Sequence, residues 1–131
     1  MQRLIVLDEV NQMEGDPEVW EHLVSAARLV RHSGSTLWLS GQDFLGLPDE
    51  LLGLATQFLC FRLRSARIFR HLRERVAGFY RVRFRRIAAL QVGHAYWVAV
   101  ESTDPEWSGR AVLCYMRPPT CEHGGHTRAT L

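Results

Sequence analysis

Short apolar runs alternate with stretches of helical periodicity through the first half of the chain, and this alternation constrains the fold more than any other feature. LIVL, STLWLSGQ and QFLCFRLR read as strands. Between the first two lies GDPEVWEHLVSAARLVRHSG, where Asp16 is placed to cap a helix that has Pro17 in its first turn and ends at Gly34. Val19, Trp20, Leu23, Val24, Ala27 and Val30 fall on one face of that helix, and Arg28, Arg31 and His32 suit its carboxyl-terminal dipole. GLPDELLGLAT supplies a second, shorter helix beginning near Pro48 and Asp49. Strand, helix, strand, helix, strand with short connections implies right-handed crossovers and an α/β fold built on a mostly parallel sheet flanked by helices. In such a sheet the uninterrupted run from Leu4 to Leu7 is expected to be a fully buried strand, and Trp20 and Trp38 to be core.

Further along, a helix is predicted from Ser65 to about Ala77 with Ile68, Phe69, Leu72 and Val76 inward. HAYWVAV and RAVLCYM read as two strands joined by the polar loop ESTDPEWSG, a hairpin at the sheet edge. Residues 1–117 are expected to form one domain, since 131 residues at 47% hydrophobic suffice for one core, and residues 118–131 to form a loose tail. No apolar run approaches the length of a membrane span, and no basic stretch followed by an apolar segment opens the chain. Three cysteines are too few and too odd in number for a disulfide framework, so a reducing cytoplasmic setting is expected.

The chemistry concentrates at the strand ends. In an open parallel sheet ligands gather at the carboxyl ends of the strands, where Asp8 and Glu9 follow the first strand and Gln42 follows the second. Adjacent parallel strands would put the three groups on one edge. An aspartate so placed can hold Mg2+ through water, a neighbouring glutamate can polarise an attacking water, and a glutamine can sense a phosphate without adding charge. An apolar run ending in Asp-Glu also describes an ordinary strand-end turn with two solvated carboxylates. His22, His32, His71 and His94 have no acid or nucleophile partner, and Ser40 lacks the G-x-S-x-G setting of a hydrolase nucleophile.

The succession LIVLDE, a helix ending in RLVRHSG, LWLSGQ and LPDELLGLATQFLCFRL resembles the second half of the RecA-like motor domain in the HerA/FtsK superfamily, which includes ATPases of conjugation and type IV secretion. The resemblance spans roughly residues 3 to 100, and Zot-like phage assembly ATPases share its RHSG and strand-Gln features. It implies that Asp8 is the Mg2+-site (Walker B) aspartate and binds the ATP cofactor through the metal, that Glu9 is the catalytic glutamate, and that Gln42 is the phosphate sensor. The family also uses an arginine to complete a neighbouring subunit's site; Phe58 stands about where it is expected, leaving Arg62 and Arg64 as substitutes.

All 16 basic residues are arginine, so the phosphate loop G-x-x-x-x-G-K-[ST] (Walker A), whose lysine neutralises phosphates, is absent from this sequence. The resemblance therefore implies part of a DNA- or protein-translocating ATPase, inactive alone, that self-associates or meets a partner bearing that loop. The alternative is a non-catalytic RecA-like remnant serving as a nucleic-acid-binding or oligomer-interface module. Ten arginines crowd residues 62–86, whose sole acid is Glu74. Arg67, Arg70 and Arg73 are candidates for DNA contact, with Phe69, Phe79, Tyr80 and Phe84 interleaved as stacking groups or as core; a solvated face or a subunit contact fits equally. Cys114, Cys121, His123 and His126 are spaced more loosely than the paired ligands of zinc sites, and a free tail is expected there.

Overall fold

The computed structural model describes residues 3–13 and 15–118. The first strand, β1 (Leu4–Leu7), leads through a 3-10 turn (Val10–Met13) into α1 (Pro17–Ser33). Asp16 caps α1 by accepting hydrogen bonds from the Glu18 and Val19 amides at 3.1 and 3.4 Å, and Gly34 ends it with φ +66°, a left-handed conformation in which a side chain would be strained. The chain returns as β2 (Thr36–Leu39), then forms α2 (Asp49–Leu54) and β3 (Gln57–Cys60). Next come α3 (Ala66–Arg75), a 3-10 turn (Ala77–Phe79), α4 (Phe84–Ala88), β4 (His94–Ala99) and β5 (Ala111–Tyr115).

Five strands form two sheets among the described residues. β1 and β2 pair in parallel, Leu4 opposite Thr36 and Leu7 opposite Leu39. β4 pairs antiparallel with both β3 and β5, giving the order β3-β4-β5. The parallel crossover through α1 and the β4–β5 hairpin agree with the sequence reading. The third strand differs: β3 joins β4 rather than β2, and the second long edge of β2 carries no strand among the described residues.

Each sheet has its own core. Around β3–β5, alternation sends Cys60, Tyr96 and Val98 inward to meet Phe69 and Leu72 of α3, Phe79 of the following turn and Ile87 of α4. Phe69 and Phe79 pack edge to face with centroids 6.4 Å apart. The fit leaves no room for a side chain at Gly78, where a Cβ would stand 2.5 Å from a Val98 methyl. Around β1–β2, Val10, Leu23, Val24, Leu47, Leu51 and Leu52 are buried, with Leu7, Trp20, Leu37 and Leu39 packed against them. Phe58 touches both clusters, and Arg75 on α3 binds Asp49 on α2 at 2.5 Å.

Two core expectations fail. Leu4, Ile5 and Val6 are 61%, 44% and 56% exposed, and Trp38 is 51% exposed. α1 and α2 cover one face of the β1–β2 pair, but no described element covers the other, onto which Leu4, Val6 and Trp38 project by strand alternation. α4 has no clear mark in the sequence: its five residues sit within the arginine-rich stretch and carry too short an apolar pattern to stand out. No helix among the described residues is long and apolar enough to cross a membrane. The expected tail lies, beyond Pro118, outside the described residues.

Candidate functional site

The carboxyl ends of β1 and β2 are brought level by their parallel register, and the pairing continues one step past the strands. The Ser40 amide donates to the Leu7 carbonyl and the Val10 amide to the Ser40 carbonyl, both at 3.0 Å. Asp8 thereby faces Ser40, whose hydroxyl donates to Asp8 Oδ1. The same oxygen accepts the Glu9 amide at 2.9 Å. Oδ2 is left without a protein partner among the described residues.

Glu9 adopts φ +53°, the only non-glycine residue with positive φ among those described. A left-handed conformation costs an ordinary residue about 1–2 kcal/mol, and here it turns the chain sharply out of β1 into the 3-10 turn. Two bonds fix the result: the Gln12 amide donates to the Glu9 carbonyl at 2.9 Å, and Gln12 Nε2 donates to Glu9 Oε2. The backbone is strained where the chemistry would be.

Gln42 reaches the same edge from β2. Its amide donates to Asn11 Oδ1 at 3.2 Å, so the turn after β1 clasps the turn after β2. The clasp requires Gly41, because a Cβ there would lie 2.9 Å from Asn11 Oδ1. Asp8, Glu9 and Gln42 are all exposed. Ser40 and Asn11 are the positioning residues that sequence reasoning missed; the parallel register would have pointed to Ser40, whereas nothing local marks Asn11.

The arrangement offers one free carboxylate oxygen on Asp8, a second carboxylate on Glu9 and an uncharged amide on Gln42. That donor set fits a hydrated divalent cation and a phosphate approached from one side. No lysine is present in the sequence to meet a phosphate there. Two concavities lie elsewhere, one of about 290 Å³ lined by Gln57, Trp97 and Glu101 among others, one of about 370 Å³ lined by Trp20, Arg28 and Glu50 among others; neither includes Asp8, Glu9 or Gln42.

Arg62 and Arg64 sit exposed between β3 and α3 and make no ion pair with any described residue. Phe58 is half-buried against both cores. Arg67, Arg70 and Arg73 are exposed on α3. Of the interleaved aromatics, Phe69 and Phe79 are core and Phe84 packs against it, which leaves Tyr80, 69% exposed beneath the Arg73 guanidinium at 5.4 Å. Cys114 Sγ lies 3.3 Å from the Ala95 carbonyl, while Cys121, His123 and His126 lie outside the described residues.

No family model and no characterised protein matches the sequence. Solved structures do match in fold. The genome packaging NTPase B204 of Sulfolobus turreted icosahedral virus 2, solved with AMPPCP, aligns with TM-score 0.62 at 16% identity, over 88% of this chain and 53% of that one. The DNA-packaging ATPase B204 of Sulfolobus turreted icosahedral virus aligns with TM-score 0.63 at 15% identity, over 88% and 52%. A sulfate complex of the former covers 92% of this chain and 55% of that one at 19% identity. The chain has the α/β fold of these RecA-like ATPases and spans about half their length.

Proposed function

We propose that this chain supplies the Asp-Glu and glutamine side of a nucleotide-driven translocating motor of the HerA/FtsK type, and that a phosphate loop from a missing region or a partner completes it. The supporting observation is the edge itself: parallel pairing aligns Asp8, Glu9 and Gln42, with Ser40 bonded to the Asp8 carboxylate, Gln12 to that of Glu9 and Asn11 to the Gln42 backbone amide. In this reading Asp8 holds Mg2+ through water, Glu9 orients and polarises the attacking water, and Gln42 reports the terminal phosphate. Mg2+ and ATP supply the charge and the bond to be broken. Arg62 or Arg64 would reach a neighbouring subunit's nucleotide. DNA fits the motor's substrate on the likeness to packaging NTPases; protein translocation, as in type IV secretion, or assembly of the Zot kind would use the same edge. A cytoplasmic, self-associating protein follows from this reading.

Phosphate release with Mg2+ and ATP tests it. The chain alone is expected to release none above background, because the clamp on the phosphates is absent. Combined with a segment bearing G-x-x-x-x-G-K-[ST] from its own genomic neighbourhood, it is expected to hydrolyse ATP, and Glu9→Gln to lower that rate by about 10²-fold or more. Turnover by the chain alone that Glu9→Gln leaves unchanged would refute both the role of Glu9 and the need for the loop. The incomplete phosphate side also favours a second reading, a non-catalytic remnant acting as an interface module; absence of any loop-bearing segment in the genomic neighbourhood would favour it.

A further inference from the structure

Charge is segregated in this molecule. Residues 62–86 hold ten of the sixteen arginines and one of the fourteen carboxylates. Outside that segment, arginines within reach of a carboxylate use it: Arg28 pairs with Glu50 and Arg31 with Glu101. Inside it, only Arg75 is paired among the described residues, with Asp49 and Glu74. The other nine guanidiniums are exposed and lack a carboxylate partner among the described residues. Arg67, Arg70 and Arg73 recur every third residue along α3, which sets them on one side of that helix, and Arg83, Arg85 and Arg86 flank or occupy α4. Unpaired like charges at this density destabilise the chain that carries them and attract a polyanion.

The aromatic residues identify the kind of polyanion. A surface that grips single strands interleaves its positive charge with exposed rings on which bases stack. Here Phe69 and Phe79 face the core and Phe84 packs against it, which leaves Tyr80, one face of it met by Arg73, and Phe61 at the margin as the exposed rings. The surface can therefore contact phosphates but offers little to unpaired bases. We infer that the arginine side of α3 and α4 binds the phosphate backbone of a nucleic-acid duplex without reading its sequence. This site is separate from the Asp8 edge and does not depend on the nucleotide reading, so binding is measured without ATP.

Fluorescence anisotropy of the full chain with a labelled DNA duplex of about 30 base pairs, and with an RNA duplex of equal length, tests the inference across about 50–200 mM salt. Binding is expected to be independent of sequence and to fall steeply with salt. The variant Arg67→Gln/Arg70→Gln/Arg73→Gln is expected to weaken it about tenfold or more and to flatten the log–log salt slope by about 2–3, as each lost phosphate contact removes about 0.9. Should that variant misfold by circular dichroism, Arg81→Gln/Arg85→Gln/Arg86→Gln reads the other exposed arginines of the same segment. Arg3→Gln/Arg110→Gln/Arg117→Gln removes equal charge elsewhere and is expected to weaken binding much less. Equal weakening by that set would mean that net charge alone attracts the duplex and would overturn the site. Absence of salt-dependent binding would also overturn it, as would a single strand held more tightly than either duplex or binding confined to anionic phospholipid vesicles. Preference between the DNA and RNA arms assigns the duplex.

Discussion

The sheet of β3, β4 and β5 and the pair β1–β2 are made of similar residues and end up in opposite conditions. Phe79, Ile87 and Val98 in the former have 0% of their surface exposed, whereas Leu4, Val6 and Trp38 in the latter keep half or more. An antiparallel sheet is stable with one face open to water; parallel pairs occur with both faces covered. The bare side of β1–β2 is thus the anomaly. It lies on the same two strands whose ends carry Asp8 and Gln42, so the region without a described apolar cover is also the one with the exposed strand-end polar groups. Both observations fall on the same pair of strands.

The sharpest way to break this contrast is to cut into each region. Phe79→Ala removes a ring with no exposed surface and is expected to cost about 3–5 kcal/mol in chemical denaturation. A loss below about 1 kcal/mol would mean that the β3–β5 core is looser than its packing indicates. Of intermediate size is an effect at Cys60, whose thiol burial pushes up from an ordinary value of 9.0 to about 12. The folded form keeps the proton and the unfolded form releases it, so the stabilisation is complete below pH 9 and is lost as pH rises towards 12. Across that window stability is expected to fall by up to about 1.4 kcal/mol per pH unit. Cys60→Ala, compared with the unsubstituted chain over the same pH range, should remove this part of the slope. An unchanged slope would place that core within reach of water. The smallest stability effect belongs to the bare face, where Leu4→Ser/Val6→Thr is expected to change unfolding free energy by less than about 1 kcal/mol while reducing self-association in sedimentation velocity. A large destabilisation would show that something already covers this face.

What the sequence made legible follows the range of each interaction. Asp16, Pro17 and Gly34 act within one helix, and their roles were readable because capping and helix termination are local. Asp8, Glu9 and Gln42 were readable as strand-end groups because parallel pairing was implied by the alternation of elements. Ser40 and Asn11 were not, since their partners lie 32 and 31 positions away and depend on register. Leu4, Ile5, Val6 and Trp38 depart from expectation for a different reason: apolar character tells where a side chain is better placed, not whether another element covers it there. β3 was expected beside β2, but alternation could not distinguish that partner from β4.

Phe58 and the Asp49–Arg75 pair have a mechanical consequence. One ring is wedged in both cores, and one guanidinium ties α2, which follows the Gln42 turn, to α3, which carries the arginines. These two joints couple the halves: α2 cannot shift without straining its pair to α3, the helix that presents Arg67, Arg70 and Arg73. The linkage consists of one side chain from each of three elements, β3, α2 and α3.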